Sequence, residues 1–536
     1  MKVLLLVLVS LAIRTHGFQD TSLDGIAYVQ MTVENLDLSI KFYTEVLDGM
    51  LIPEFRVRSL QSDSHYYRIF QKEIVEATQR NVDPDTLGVP DIRTGKTYVV
   101  NWDFVLFDNS LIWLMQFTDR FGNHFTRFDP NVGSAKTGYG HIAFWANQCV
   151  NPYQMMKAIY DGEVAMESPT AGLATATSQT SFSARNRLIE QHISASLPPE
   201  DDGFRFGATR GPNGEKVELF FRRGNGAKAT FEDLCDVNAV HTAMLKTQCQ
   251  KLTSEYSQPL VKTVGLHHVS LTIPDTNVSV DFYSSIIGGK SPEVSADLQY
   301  PEPFRNMMVQ DDYISALEAN RAADAGFGYV DVGIGQPNAG TVDMTYINFE
   351  NNYLRLYAFN PAEASDKARL ERPWSSPAYV NVVSPGFWVK SSVPMATYIK
   401  SVERAASSKG YSQAKANRAV NVTTLGEIVD DADYSAPFTS GDLEGFDYTF
   451  AKGSAGEQIS FAKFTGRSAE ILEEKYKIYG GVSVAFDDTN PYMWGGYSDL
   501  CAEEASEPEP NSANSLSLNK LVYLLASLPM IIFQFI

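Results

Sequence analysis

The 536-residue sequence predicts an α+β protein of four βαβββ modules, arranged as two tandem copies of one unit. Three observations predict it. Gly25-Ile-Ala-Tyr-Val-Gln-Met-Thr-Val33, followed by Phe42-Tyr43, realigns without a gap on Gly265-Leu-His-His-Val-Ser-Leu-Thr-Ile273, followed by Phe282-Tyr283, at an offset of 240. Further on, Phe107-Asp-Asn-Ser-Leu-Ile-Trp113-Leu realigns on Phe349-Glu-Asn-Asn-Tyr-Leu-Arg355-Leu at an offset of 242. Each copy also divides in two, because Gly138-Tyr-Gly-His141-Ile-Ala-Phe144 and Ser384-Pro-Gly-Phe387-Trp-Val-Lys390 open strands like those at Gly25 and Gly265. Self-similarity at a fixed period marks a repeated structural unit.

Within a module the pattern runs from a strand with period-two alternation to an amphipathic helix, a loop-rich insertion and a closing hairpin. In the second module the helical run is residues 151–160, and Asn213-Gly214 supplies the hairpin turn before the strand from Glu215 to Phe221. The first copy spans 23–224, with modules at 23–120 and 136–224, and the second spans 263–466, with modules at 263–362 and 382–466. Between them, in 225–262, Thr230-Phe-Glu-Asp233 reads as a capping box opening a linker helix that reaches about Leu252. Residues 467–510 form a C-terminal extension ending in an acidic, proline-containing stalk from Ala502 to Pro510.

The two ends predict export and a membrane surface. Lys2 followed by the apolar run Val3 to Val9 and Leu11 to Ile13 reads as a secretory signal peptide over 1–17, with cleavage after Gly17. At the other end, Asn511-Ser512-Ala513, a polar spacer and the uncharged tail Leu521 to Ile536 match a glycosylphosphatidylinositol signal over 511–536, with attachment at Asn511 or Ser512. The alternative is a C-terminal transmembrane anchor, which a 16-residue tail containing Pro529 suits less well. The expected location is the extracellular face of the plasma membrane, reached through the lipid anchor, or the secreted phase.

The formal net charge is −20, and about −23 once Lys2, Arg14 and Lys520 leave with the two signals. That excess of acid argues against nucleic acid as a partner, since phosphate binding needs a basic face. Only four cysteines, 149, 235, 249 and 501, serve an exported chain of this size, so hydrophobic cores must hold the fold. Cys235 and Cys249 on one continuous helix would lie roughly 21 Å apart, too far to bond to each other. Asn277-Val-Ser and Asn421-Val-Thr are glycosylation sequons that this compartment would use.

With these openings ending in Phe-Tyr, and the terminal strand Asn213-Gly-Glu-Lys-Val-Glu-Leu219, the chain resembles the vicinal oxygen chelate superfamily, which includes glyoxalase I and the extradiol dioxygenases. The resemblance covers roughly residues 23 to 464 and implies two tandem glyoxalase-like open-barrel domains. It also implies one divalent metal per barrel mouth, held by the first and last strands of each module. Those positions are Tyr28, Trp113, His141 and Glu218 in the first copy, and His268, Arg355, Phe387 and Ser460 in the second. Neither copy then holds a complete ligand set, and Arg355 would repel a cation in the second.

His141 and Glu218 are the candidate catalytic and metal-ligating residues, and the first copy is the place expected for any divalent metal. They fit either a satisfied pair in a cleft, in which His141 could act as a general base, or a weak metal site completed by Tyr28 or water. Tyr28, Gln30, Trp113 and Met115 share their strand parity with that pair and would line a ligand pocket, or else fill core space. Adjacent strand residues face opposite ways, so His267 and His268 are not expected to converge. No Gly-rich phosphate loop and no Gly-x-Ser-x-Gly elbow occur. The chain is therefore expected to be a non-catalytic binding or structural protein with degenerate metal sites, taking a small molecule or an extracellular partner. Two alternatives stand beside it: a metal-dependent lyase or dioxygenase working through the first copy only, and an acidic extracellular matrix component.

Overall fold

The computed structural model describes residues 23–61, 69–82, 98–107, 110–119, 140–146, 152–167, 204–213, 215–222, 263–289, 340–349, 352–361, 383–417, 419–422, 428–433, 435, 437–476, 478–479 and 482–483. The signal segment, the linker helix, the acidic stalk, the lipid-attachment signal and all four cysteines lie outside these residues. No helix among the described residues is long and apolar enough to cross a membrane.

The first module comprises β1 (Leu23–Thr32), α1 (Leu36–Lys41), β2 (Met50–Gln61), α2 (Gln71–Arg80), β3 (Tyr98–Phe107) and β4 (Ser110–Asp119). The second has β5 (Gly140–Ala146), α3 (Pro152–Ala165), β6 (Phe204–Arg210) and β7 (Lys216–Arg222). The third has β8 (Thr263–Thr272), α4 (Thr276–Phe282), β9 (Gly340–Asn348) and β10 (Tyr353–Pro361). The fourth has β11 (Val383–Val389), α5 (Met395–Ser408), a separate hairpin of β12 (Ala419–Val422) and β13 (Ile428–Asp433), then β14 (Asp447–Lys452) and β15 (Gln458–Lys463). Helices α1 and α4 start alike, because the Asn35 and Asp275 side chains accept backbone N–H groups of the first turn. Both run on into a π turn, Phe42–Val46 and Tyr283–Ile287.

The α+β class and the module pattern are as the sequence predicts, but the modules pair differently. A seven-stranded sheet runs β14-β15-β11-β1-β4-β3-β2, and a six-stranded sheet runs β6-β7-β5-β8-β10-β9. The first module thus joins the fourth, and the second joins the third. Each opening strand lies parallel to the last strand of its own module, as β1 to β4 and β5 to β7, while the junctions β1/β11 and β5/β8 are antiparallel. Close approach at the junctions favours this choice. Gly386 lies under the Tyr28 ring, where a Cβ would stand 2.3 Å from Cε2, and a Cβ on Gly140 would stand 2.4 Å from the Ser270 carbonyl oxygen.

Both junctions carry a bulge at the same repeat position. In β1, Ile26 faces Phe387 and Tyr28 faces Gly386; in β8, Leu266 faces Phe144 and His268 faces Ala143. One residue, Ala27 or His267, is therefore left over against its partner strand. Gly25 and Gly265 precede the bulges at φ of 98° and 108°, a region open to glycine.

Sequence-adjacent modules meet through a core between the sheets. Val29, Ile112 and Leu114 of the seven-stranded sheet pack there with Ile142, Leu219, Val269 and Leu354 of the six-stranded one. Buried pairs fasten this layer twice: the Tyr43 hydroxyl donates to Glu215 at 3.1 Å, and the Tyr283 hydroxyl to Glu457 at 2.6 Å. A second core fills the other face of the seven-stranded sheet. It takes in Tyr28, Trp102, Phe104, Trp113, Phe446, Tyr448 and Phe450, and then Ile471, Leu472 and Ile478 of the C-terminal extension.

Candidate metal centre

The nested pairing gathers onto one sheet the ligand-type residues that a copy-by-copy reading splits between two sites. In the six-stranded sheet His141 stands opposite Ser270, Ala143 stands opposite His268, Glu218 lies beside Ala143, and Arg355 lies beside Ser270. Alternation then points His141, Glu218, His268 and Arg355 to one face. His141 Nε2 lies 3.2 Å from Glu218 Oε1, His268 Nε2 lies 3.7 Å from Glu218 Oε2, and the two Nε2 atoms are 3.4 Å apart. Donors sharing an ion at about 2.1 Å would stand roughly 3 to 3.5 Å from one another; here one ligand atom from each of the three side chains lies within 4.8 Å of the others, so a small inward shift would bring them to that spacing. The four side chains are closed from solvent, at 2% exposure for His141, 3% for Glu218, 0% for His268 and 1% for Arg355.

Arg355 holds the same donors. Its Nη2 donates to Glu218 Oε2 at 2.7 Å and to His141 Nε2, while Nη1 donates to the Tyr346 hydroxyl at 3.2 Å. Glu218 and Arg355 therefore form a buried ion pair. Burial, and after it the Arg355 charge, hold His267 and His268 well below the ordinary imidazole value. Neutral imidazoles keep the lone pair that a metal needs. Burial pushes the Tyr346 phenol up, partly offset by Arg355, so it stays a hydroxyl.

The expectation that His267 and His268 face apart fails at the bulge. With His267 left over in the ladder, its Nδ1 meets His268 Nδ1 and the rings lie 4.8 Å apart. His268 thereby presents Nε2 to the centre, in the role that the sequence reading assigned to Tyr28 or water.

Among the described residues, the equivalent place on the seven-stranded sheet holds no such set. Tyr28 faces Gly386, which lies beside Ser460, while Gln30 lies beside Trp113 and opposite Ser384. The structural counterpart of His141 is therefore Ser384, and Phe387-Trp388 matches Phe144-Trp145. The sequence alignment placed Phe387 there instead, three residues off. Trp113 packs edge-on against Tyr28 and Tyr448, with centroids 5.1 and 4.9 Å apart, and stacks on Phe104 at 5.3 Å. Tyr28, Trp113 and Met115 are buried in this aromatic core, and the Gln30 amide bonds to Thr32 at 3.2 Å. These four residues stand on a different sheet from His141 and Glu218. Of the predicted sequons, Asn277 is exposed in the first turn of α4.

Neither a protein-family model nor any curated protein matches the sequence. Among solved structures, the chain is similar to glyoxalase I from Zea mays, at 13% identity and a TM-score of 0.37, covering 84% of this chain and 96% of that one. It is also similar to BphC, a halotolerant catechol dioxygenase, at 9% identity and a TM-score of 0.18 over 83% and 88% of the two chains. A third is 2,2',3-trihydroxybiphenyl 1,2-dioxygenase from Sphingomonas wittichii, at 8% identity and a TM-score of 0.17 over 82% and 91%. At such TM-scores these likenesses carry no argument about the chemistry of this chain, which rests on its own residues.

Proposed function

We propose that the chain is a divalent-metal protein with one chemical centre, formed by His141, Glu218 and His268, and that the seven-stranded sheet serves only as scaffold. The observation that carries this reading is the convergence of two imidazoles and one carboxylate, all buried, with ligand atoms within 4.8 Å of one another. Two histidines and one carboxylate with open positions form the donor set of non-haem iron oxygenases, so an oxygenase is the enzyme class this set favours. A bound ion would supply Lewis acidity toward neighbouring oxygens of a substrate. The chain's own part is to hold the three donors, to exclude water and to keep His268 neutral. The centre spans the second and third modules, so an enzyme confined to the first copy is not the form proposed. Metal analysis of the purified chain tests this. One divalent ion per chain, lost in His141→Ala, Glu218→Ala and His268→Ala alike, is expected; iron marks an oxygenase, and zinc or nickel a lyase.

A second reading is a non-catalytic binding or structural protein, favoured by the Arg355 hold on Glu218 and His141. Absence of any divalent ion at micromolar concentrations would establish it over the first. In either case the signal-like and anchor-like sequences at the two ends support a cell-surface location, and release by a phosphatidylinositol-specific phospholipase is the expected outcome. A chain already free in the matrix would instead argue for a matrix component.

A further inference from the structure

We infer that Ser270 selects the exchangeable ligand of this centre, its hydroxyl donating to a small anion taken at the ion's open position. The inference rests on the metal reading and names the ligand class of the same site. His141, Ser270 and Arg355 stand abreast on β5, β8 and β10, while Glu218, Ala143 and His268 stand abreast on β7, β5 and β8, two residues along. Alternation sends all of these side chains to one face. The inner places of that patch thus hold two small residues, Ala143 and Ser270, and the four long side chains ring them.

Ser270 is 1% exposed, and its Oγ has no hydrogen-bond partner. Buried hydroxyls are almost always bonded, because one without a partner has given up water for nothing. The groups around it are engaged with each other: Arg355 Nη2 donates to His141 Nε2 and Glu218 Oε2, and His268 Nε2 lies 3.4 Å from His141 Nε2. Imidazole and carboxylate, not a neutral hydroxyl, are the donors such ions prefer, so Ser270 is not a fourth ligand. It is a hydrogen-bond donor beside both imidazoles, across the ladder from His141 and two residues along β8 from His268. A ligand atom that binds the ion and keeps a second lone pair can accept from it, and negative charge on that atom strengthens the bond. Azide, cyanate and deprotonated oxygen ligands have such an atom. A neutral heteroaromatic ring, whose one lone pair goes to the ion, does not.

Cobalt(II), whose visible absorption reports its ligands, is loaded into the purified full-length chain, which is then titrated with azide. Ser270→Ala is expected to bind cobalt as the wild type does and azide about tenfold more weakly. Ser384→Ala, which removes a buried and unpartnered hydroxyl from the seven-stranded sheet, should change neither constant. Equal azide affinity in the wild type and Ser270→Ala, or no azide binding to the cobalt-loaded chain, would overturn the inference while the metal reading stood. Weaker cobalt binding in Ser270→Ala would overturn it too, by making the serine a support of the ion itself. An equal loss of azide affinity in Ser384→Ala would trace the effect to the fold and have the same result. If no cobalt binds the wild type, the metal reading itself falls. Should Ser270→Ala fail to fold by circular dichroism, Ser270→Gly, which also lacks the hydroxyl, is judged by the same outcomes.

Discussion

His141, Glu218, His268 and Arg355 were all legible in the sequence as occupants of metal-ligand positions, yet their company was not. A residue's type and strand parity are local properties, whereas which strand lies opposite is not. The bulge at His267 was equally hidden, because one unpaired residue shifts parity without changing composition. The paired Tyr–Glu contacts went unseen for the same reason, since Tyr43 and Glu215 are far apart in sequence. Removing the hydroxyl with Tyr43→Phe leaves Glu215 buried with its bond to the Asn213 N–H but without its phenol donor. A loss of about 1–3 kcal/mol in urea unfolding is expected. Glu73 gives a pH test. Burial pushes its carboxyl up to about 7, from an ordinary 4.5. A raised carboxyl stabilises the fold fully below pH 4.5 and loses that contribution as the pH climbs through 7. Stability of Glu73→Gln should therefore fall less between pH 4.5 and 7 than that of the wild type, as followed by chemical denaturation at several pH values.

At the scale of elements, the strand and helix pattern was readable because hydrophobic period and capping residues are written locally. Asn35 and Asp275, which cap α1 and α4, are such residues. The junction between opening strands was not readable, since four similar strands offer several partners and small differences in side-chain volume select among them. Gly386 and Gly140 are such differences. Gly386→Ala would drive a methyl into the Tyr28 ring and should cost about 1–3 kcal/mol. At Gly140 the obstacle is the backbone oxygen of Ser270, which cannot rotate aside as a ring can. Thermal melts should accordingly show a larger drop for Gly140→Ala than for Gly386→Ala.

For the whole molecule, the repeat announced four modules and two sheets' worth of strands, but tandem duplication suggested neighbours where the fold makes nested partners. The consequence can be measured. Cleavage engineered into the segment 223–262 should leave two fragments that copurify through the two junctions, and each fragment made separately should aggregate or remain unfolded, because each lacks the partner for an opening strand. Independent folding of the two halves would contradict the nested sheets. Nested pairing also sets the order of events during synthesis. Leu23 faces Val389, 366 residues later in the chain. At about 5–20 residues per second, the edge of β1 waits on the order of 20–70 s for its mate to emerge. The second and third modules, whose junction closes over a much shorter stretch, can join in the meantime. The newborn N-terminal module therefore depends on whatever shields a naked strand during synthesis, and slowed elongation in the last third of the message should raise its yield of misfolded product.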